Sequence, residues 1–330
     1  MKKSGLKRKI LTGVLIVTGF LGLGLVLGPK VQLDRRLKPV QLPEDLDAYL
    51  ARSEANVPLT TPDVAKKIVW ADPQSKTKTD ISFIYLHGYG ATLMEIDPVT
   101  RLVSQHFNAN VFYTRLAGHG QSREQFAKAT ANQWMQDTLE AWEIGKAIGD
   151  KVVIIGTSTG ATLGTWLAAT RPVDELASLV FVSPNFYPAD PAAPLLLWPW
   201  GTTIAKLIEG GAYHPWVPYN QIQAKYWVTE PAFETSAQLM ALVHMVDLLD
   251  LSAINAPALF IYSERDDVVS VPKIKQKFHA IGSSPKKLLE MTHEKNPSQH
   301  VIAGDIVGMH NTEAATQAMI AFLEKTLNGY

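Results

Sequence analysis

Apolar runs of strand length alternate with helical periods through most of the chain after residue 65. The runs that we predict as strands are rich in Val, Ile, Leu and Phe. They are Lys66–Ala71, Ile81–Leu86, Val111–Leu116, Lys151–Ile155, Leu179–Val182, Ala258–Tyr262 and Lys287–Met291. Helical periods lie near residues 96–107, 132–147, 160–170, 271–280 and 312–327. Nearly continuous apolar strands alternating with helices predict an α/β fold with a mostly parallel sheet, covered by helices on both faces.

Residues 185–250 break this alternation. This segment holds ten of the 29 aromatic residues and seven of the 20 prolines. It lies between the strands ending at Val182 and beginning at Ala258, where an insertion covers the carboxyl ends of the sheet. We therefore predict a cap at 185–250 and a core at 66–184 and 251–330. Four cap tryptophans are candidate apolar substrate contacts, although they also suit a small core within the cap. They are Trp198, Trp200, Trp216 and Trp227.

The N-terminus has a different pattern. Ile10 to Leu27 are 18 positions without a charged side chain. As a helix at about 1.5 Å per residue they span roughly 27 Å, which nearly crosses a bilayer core. Five cations stand in the first nine residues, and such flanks stay cytoplasmic. We predict a cytoplasmic basic tail at 1–9, a single-pass membrane anchor or uncleaved signal at 10–27, a stalk at 28–65 and an extracytoplasmic catalytic domain. A cleaved signal peptide and a buried core helix are the alternatives.

Composition and charge narrow the functional classes. The chain of 330 residues has 46% hydrophobic and 19% charged residues, which is typical of a packed globule. The absence of cysteine excludes disulfides, a thiol nucleophile and a cysteine zinc cluster. Residues 28–330 carry 26 basic and 31 acidic side chains, a net charge of −5 that argues against a nucleic-acid partner. With no phosphate-loop or metal-spacing motif, we expect neither a metal nor another cofactor.

A nucleophile motif follows one of the predicted strands. The segment Gly156-Thr157-Ser158-Thr159-Gly160 stands between Lys151–Ile155 and a predicted helix. In such a strand-to-helix turn the glycines leave room for neighbouring backbone, and the serine hydroxyl is exposed in strained geometry. The following helix supplies unpaired N–H groups and the positive end of its dipole. Ser158 is therefore the candidate nucleophile, and a structural turn or a phosphate cradle is the alternative.

A second glycine motif, Leu86-His87-Gly88-Tyr89-Gly90, ends the first central strand. Its glycines allow the backbone to fold back beside Ser158. The peptide N–H groups of Tyr89 and Thr159 are then the two candidate oxyanion donors.

Three motifs together closely resemble the α/β-hydrolase superfamily, in particular its monoacylglycerol lipase and lysophospholipase-like serine esterase branch. They are Tyr85-Leu86-His87-Gly88-Tyr89-Gly90, Leu116-Ala117-Gly118-His119-Gly120-Gln121-Ser122 and Gly156-Thr157-Ser158-Thr159-Gly160. The resemblance covers roughly residues 66–328 and implies the α/β-hydrolase fold. It also implies the chain order serine, acid, histidine. We therefore expect structural roles for His87 and His119, which precede the nucleophile.

The resemblance also implies an acid and a base. After Ala258–Tyr262, the family pattern Asp-x-Val-Val matches Asp266, with Asp267 and Glu264 as solvated alternatives. The segment Ser298-Gln299-His300 resembles the family's Ser-Gly-His and implies His300 as the base. The other histidines after the acid are His279, His293 and His310.

These residues predict a membrane-anchored serine hydrolase that cleaves carboxylic esters through an acyl-enzyme on Ser158. The aromatic cap favours small-molecule or lipid-like esters of the monoacylglycerol or lysophospholipid type. An aminopeptidase or amidase on the same scaffold is the alternative enzyme, and it needs an anionic patch. The acids of the cap are Asp190, Glu209, Glu230, Glu234, Asp247 and Asp250. A catalytically silent binding protein with this fold is the alternative outside enzymes.

Overall fold

Seven strands form one sheet in the computed structural model, which describes residues 12, 13, 19, 22, 24, 27–34 and 36–327. The strand order is β1-β3-β2-β4-β5-β6-β7. Among the described strands, only β1 runs antiparallel to its neighbour, β3. The prediction of a mostly parallel sheet is confirmed. The strands are β1 (Lys67–Val69), β2 (Thr79–Leu86), β3 (Asn110–Tyr113), β4 (Gly149–Thr157), β5 (Leu176–Val182), β6 (Ala258–Tyr262) and β7 (Lys286–Glu290).

Helices connect the strands and cover both faces of the sheet. In the described residues they are α1 (Leu46–Glu54), α2 (Val99–His106), α3 (Arg123–Phe126), α4 (Ala131–Ile148), α5 (Thr159–Thr170), α6 (Gly201–Glu209), α7 (Gln221–Tyr226), α8 (Phe233–Asp247), α9 (Val271–Ala280) and α10 (Thr312–Leu327). Short 3-10 helices lie at Pro62–Val64, Ala193–Leu197 and Met309–Asn311.

The core consists of two apolar layers, one on each face of the sheet. Successive side chains of a strand point to opposite faces. Ile84 and Ile154 therefore pack in the layer that contains α4 and α5, whereas Phe83 and Val153 pack in the layer that contains α2 and α10. All four side chains are fully buried. Burial on both faces explains why the central strands are continuous apolar runs.

The third strand is shorter than predicted. β3 ends at Tyr113 instead of Leu116, and the chain then turns through Gly118 and Gly120, whose φ values are 80° and 68°. Leu116 is nevertheless fully buried, and its N–H donates to His87 Nε2 at 3.1 Å. The apolar pattern at 114–116 therefore reflects burial in a loop.

The segment predicted as a stalk lies along the core over much of its described length. Leu50 of α1 is buried in the layer that contains α4. The N–H of Asp34 donates to the side chain of Asn132 at 3.0 Å, and the N–H of Lys38 donates to that of Gln136 at 2.9 Å. Contacts with α4 therefore position this segment on the domain.

The predicted cap is built on one long helix. α8 packs against the core helices α4 and α5, and it also contacts α6 and the 3-10 helix Ala193–Leu197. On α6, Ile204, Leu207 and Ile208 are exposed. The cap therefore presents an apolar outer face, while α8 connects it to the core.

The basic tail at 1–9 lies outside the described residues, as does most of the predicted anchor at 10–27. Within the described part of the chain, no helix is both long enough and apolar enough to cross a membrane. The membrane anchor stays a prediction.

Candidate active site

Ser158 lies in the sharp turn between β4 and α5. Its backbone has a φ of 51° and a ψ of −112°. Such values are unusual for a residue other than glycine, and this kind of conformation costs about 1–3 kcal/mol. The flanking positions are crowded. A Cβ on Gly156 would lie 2.7 Å from the nitrogen of Ala161, and one on Gly160 would overlap the carbonyl oxygen of Leu86. Glycine is therefore required on both sides of the serine.

The structure brings Ser158, His300 and Asp266 together from three separate loops. Ser158 Oγ lies 3.0 Å from His300 Nε2, and His300 Nδ1 lies 2.9 Å from Asp266 Oδ2. The three residues are 5%, 8% and 9% exposed, respectively. Because a carboxylate only accepts hydrogen bonds, Nδ1 carries the proton and Nε2 has a free lone pair facing the serine.

Backbone hydrogen bonds orient the acid and the histidine. Asp266 follows β6, and its Oδ1 accepts the N–H groups of Val268 and Val269, each at 3.0 Å. This leaves Oδ2 directed at His300. On the opposite loop, Ser298 Oγ accepts the N–H of His300 at 3.1 Å. Short-range contacts within each loop thus hold the Asp266 side chain and the His300 backbone.

Nearby carboxylates favour the charged form of His300. Burial lowers the pKa of His300, but Asp266 raises it, with weaker contributions from Glu95 and Asp267. A negative charge close to a histidine ring stabilises the imidazolium. The net result is a pKa above the ordinary histidine value. The neutral ring, which is the form able to accept a proton, therefore predominates only above this raised pKa.

The N–H groups of Tyr89 and Thr159 lie in adjoining segments. The start of α5 approaches the end of β2 so closely that Gly160 lies against the backbone of Leu86 and His87. Among the described residues, neither N–H donates to a protein acceptor. Thr159 begins α5, where an N–H has no partner within the helix. Two unpaired donors beside a serine suit a developing negative charge.

His87 and His119 support the Tyr89 loop as neutral rings. His87 Nε2 accepts the N–H of Leu116 at 3.1 Å, and His119 Nε2 accepts the N–H of Gly90 at 3.0 Å. Each Nδ1–H then donates to a backbone carbonyl. Burial lowers the pKa of His87 to about 4 and holds the pKa of His119 well below its usual range. Both rings therefore have structural roles, as expected.

The other candidate acids and bases do not form a second centre. Asp267 is exposed, and Glu264 is exposed and pairs with a lysine of α9. His279 is exposed on α9, while His293 and His310 stack on each other with ring centroids 4.9 Å apart. Across the residues that the structure describes, no group of three or more acidic or histidine side chains is placed to hold a metal ion.

A cavity of about 540 Å³ opens in the cap. Ser236 lies in its wall, and Ser236 Oγ is 3.1 Å from the hydroxyl of Tyr89. The cavity therefore lies one contact away from the Tyr89 loop. Of the four candidate tryptophans, Trp198 is in the lining. The apolar lining also includes Leu195, Leu196, Ile204, Ile208 and Phe233.

The other three tryptophans lie elsewhere in the cap. Trp200 donates its backbone N–H to the carbonyl of Pro29 and its indole N–H to that of Gly24. Trp216 donates its indole N–H, at 3.2 Å, to a backbone carbonyl between α7 and α8. Trp227 packs against a small apolar cluster that includes Val301, the residue that follows His300.

The six acids of the cap are largely partnered. Asp250 accepts a backbone N–H in a turn. Asp190 and Glu209 line the cavity, where Asp190 accepts the N–H of Ala192 and Glu209 lies 3.8 Å from His214. The remaining three form ion pairs: Glu230 with Arg123, Glu234 with Lys206 and Asp247 with Lys273.

The sequence analysis missed one buried acid beside the Tyr89 loop. Glu95 is 2% exposed, and its Oε2 accepts the N–H of Gly88 at 2.7 Å and the hydroxyl of Tyr85 at 3.0 Å. The sequence contained a signal for this residue, because Glu95 is the only Asp, Glu, Lys or Arg in residues 81–96. A lone carboxylate in a buried segment needs a specific partner.

The sheet order, the turn at Ser158 and the sequence of serine, acid and histidine along the chain define an α/β-hydrolase. This confirms the superfamily that the motifs resemble. More specifically, the chain belongs to the serine aminopeptidase S33 family, whose model matches residues 77–295, more than half of the chain. No curated protein sequence is significantly similar to it.

Several solved structures share the fold. A structure from work on LipS and LipT, two metagenome-derived lipolytic enzymes, has a TM-score of 0.60 and 22% identity over 81% of this chain and 99% of that chain. The monoacylglycerol lipase of Paleococcus ferrophilus has a TM-score of 0.58 and 15% identity over 78% and 98%. A soluble variant of monoglyceride lipase from Saccharomyces cerevisiae has a TM-score of 0.56 and 13% identity over 79% and 91%. At such identities, the likeness establishes the fold.

Proposed function

We propose that this protein is a serine hydrolase that cleaves carboxylic esters through an acyl-enzyme on Ser158. The observation that carries the proposal is the hydrogen-bonded series Ser158–His300–Asp266, with distances of 3.0 and 2.9 Å. The N–H groups of Tyr89 and Thr159, which donate to no acceptor in the described part of the chain, accompany it.

Each of these groups has a defined role in the reaction. Ser158 Oγ attacks the acyl carbonyl while its proton passes to His300 Nε2, and the N–H groups of Tyr89 and Thr159 bind the oxyanion. Asp266 stabilises the imidazolium. The ester C–O bond then breaks, and His300 gives its proton to the leaving alcohol. Water, deprotonated by the same ring, attacks the acyl-enzyme and releases the carboxylic acid and free Ser158.

The proposed substrates are lipid-like esters of the monoacylglycerol or lysophospholipid type. The cap cavity of about 540 Å³ supports this class, because its lining is mainly apolar. A cavity of this size is typical of ligand sites. Beside it, Leu207 and Ile208 are each 78% exposed on α6. An exposed apolar face of this kind suits contact with lipid.

We also propose that residues 10–27 attach the protein to a membrane, with the domain on the extracytoplasmic side. Their 18 uncharged positions support this proposal, because a helix of that length nearly crosses a bilayer core. Protease added to intact cells, or to spheroplasts where there is an outer membrane, should remove the domain. Full protection until the cytoplasmic membrane is broken would place the domain inside.

An aminopeptidase or amidase is the second candidate. The family description and the two acids in the cavity lining, Asp190 and Glu209, favour it. Against it, the other cap acids are engaged by basic side chains or a backbone N–H. If an amine binds between these two acids, Asp190→Asn with Glu209→Gln should abolish cleavage of an aminoacyl p-nitroanilide and leave ester cleavage unchanged.

A fluorophosphonate probe and a series of p-nitrophenyl esters of rising chain length test the main proposal. We expect rapid labelling, and Ser158→Ala should lose labelling and on the order of 10⁶-fold in turnover while staying folded. Ser183→Ala is the matched control, because the buried Ser183 hydroxyl forms no hydrogen bond with any residue that the structure describes. Ester cleavage by Ser158→Ala within tenfold of wild type would refute the assignment. An unlabelled, inactive wild-type protein would indicate a silent binding protein.

A further inference from the structure

Glu95 links the Tyr89 loop to the turn that holds the serine. Its Oε2 accepts the N–H of Gly88 at 2.7 Å and the hydroxyl of Tyr85 at 3.0 Å. The Tyr85 hydroxyl lies 3.2 Å from Thr157 Oγ1, one residue before Ser158. Since the Tyr85 hydroxyl has a single hydrogen, it donates to the carboxylate and accepts from Thr157. One buried carboxylate thus fixes the positions of two segments of the site.

The backbone at Glu95 also contacts the loop that carries the histidine. A Cβ on Gly304 would lie 2.8 Å from the carbonyl oxygen of Glu95, and the N–H of Asp305 donates to the carbonyl of Asp97 at 2.9 Å. The loop that carries His300 therefore packs on the turn that contains Glu95. A shift of this turn would move the base and the oxyanion donors together.

We propose that Glu95 is a positioning residue that holds the Tyr89 N–H in line with the Ser158 hydroxyl, and that its negative charge sets the pH range in which His300 acts as a base. This inference rests on the proposed hydrolase function. Glu95 does not contact the reacting atoms. It acts through the peptide of Gly88, one residue before the proposed donor.

The hydrogen bond from the Gly88 N–H to Glu95 is strong because the carboxylate is charged. An N–H bond to a carboxylate is about twice as strong as one to a neutral acceptor. The Gly88 bond, at 2.7 Å, is short, as expected for such a pair. Within the described residues, no lysine or arginine pairs with Glu95. The Gly88 N–H and the Tyr85 hydroxyl stabilise its charge through hydrogen bonds, and a charged His300 does so electrostatically. The carboxylate therefore depends on these donors for its stability.

Protonation of Glu95 falls near neutral pH. Burial raises the pKa of Glu95 to about 7, although the Gly88 N–H, His300 and the Tyr85 hydroxyl partly oppose the shift. Burial also raises the pKa of Tyr85 well above its ordinary value, so that its hydroxyl stays a donor. The ionised Glu95 holds both donors and raises the pKa of His300. When Glu95 is protonated, its hydrogen bond with the Gly88 N–H weakens.

Glu95→Gln tests this role, because glutamine keeps the shape and one acceptor oxygen but removes the charge. We expect kcat to fall about tenfold, since one donor is displaced rather than removed, whereas KM stays within about twofold. Without the negative charge, the pKa of His300 falls, so the acid limb of the kcat/KM profile moves to lower pH. Glu313→Gln, on the exposed first turn of α10, is the matched control and should change neither quantity.

A second variant, Tyr85→Phe, leaves the charge in place and removes one of its donors. The pKa of Glu95 then rises, so Glu95 is neutral over more of the range in which His300 titrates. The acid limb should therefore move to lower pH, in the same direction as in Glu95→Gln but by less, because part of the charge remains. Thermal denaturation checks that each variant is folded, and the Tyr85 variant keeps the test open if Glu95→Gln fails to fold. An active wild type with an unchanged acid limb in either variant would overturn the role of Glu95 alone. An inactive wild type with unlabelled Ser158 would overturn the hydrolase proposal instead.

Discussion

Asp266→Asn separates the chemical role of this carboxylate from its structural role. Oδ1 accepts the N–H groups of Val268 and Val269, while Oδ2 accepts His300 Nδ1–H at 2.9 Å. The single oxygen of an asparagine amide keeps the two backbone donors only if its NH₂ group turns toward His300. An NH₂ group donates, so Nδ1 must become an acceptor, and the ring proton moves to Nε2.

The consequence for catalysis is large. Nε2–H then points at Ser158 Oγ, which lies 3.0 Å away, and no base faces the nucleophile. The imidazolium also loses its anionic partner. Losing both the base that faces Ser158 and the anionic partner of the imidazolium lowers kcat about 10⁴-fold. This is equivalent to about 5.4 kcal/mol at about 1.36 kcal/mol per tenfold. The fold should lose only about 1 kcal/mol, because both backbone hydrogen bonds remain.

The assay is kcat and KM for a p-nitrophenyl ester at pH 8, with thermal denaturation as the check on folding. Asp267→Asn is the matched control, because Asp267 is exposed and acts on the ring only through its charge. We expect this variant to stay within about threefold of wild type. A folded Asp266→Asn enzyme within tenfold of wild type would refute the assignment of the acid. So would a larger loss in Asp267→Asn.

Two further predictions concern the base and the cap. His300→Ala should lose nearly as much turnover as Ser158→Ala, about 10⁶-fold, whereas His310→Ala should change it less than about twofold in the same ester assay. A severe loss of turnover in His310→Ala would indicate that His310, and not His300, is the base. Trp198→Ala should reduce the preference for long acyl chains, because Trp198 lines the cap cavity, whereas Trp216→Ala in the same cap should not. Identical chain-length profiles in both variants would favour a packing role for these rings.

Short-range rules explain why much of the core and the candidate nucleophile could be predicted. The turn at Ser158 needs glycine on both sides for steric reasons, so a short pattern between a strand and a helix is enough to identify it. The acid and the base came instead from the resemblance to the α/β-hydrolase superfamily, which implies the order serine, acid, histidine and the positions Asp266 and His300. Continuous apolar runs identify strands that are buried on both faces, as Phe83 and Ile84 illustrate.

The identity of the groups that a buried side chain meets had no such local signature. The partners of Glu95 stand in the preceding strand and loop, at Tyr85 and Gly88, and its effect reaches His300 near the other end of the chain. The sequence alone left all six cap acids as candidates for an anionic patch, but Glu230 and Glu234 form ion pairs with basic side chains. Hydrophobic periodicity indicates that a side chain is buried, but it does not indicate which other side chain it contacts.

Apolar patterning and steric requirements in neighbouring residues therefore specified the sheet and the serine turn, because these depend on backbone geometry within one segment. The resemblance to the α/β-hydrolase superfamily implied the chain order of the site. Tertiary packing alone decided that Trp198 lines the cavity while Trp200 meets the N-terminal segment, and that Glu95 faces the Tyr89 loop. The physical reason is that hydrogen bonds and electrostatic interactions depend on distances in space, which are set only when the helices and loops pack against the sheet.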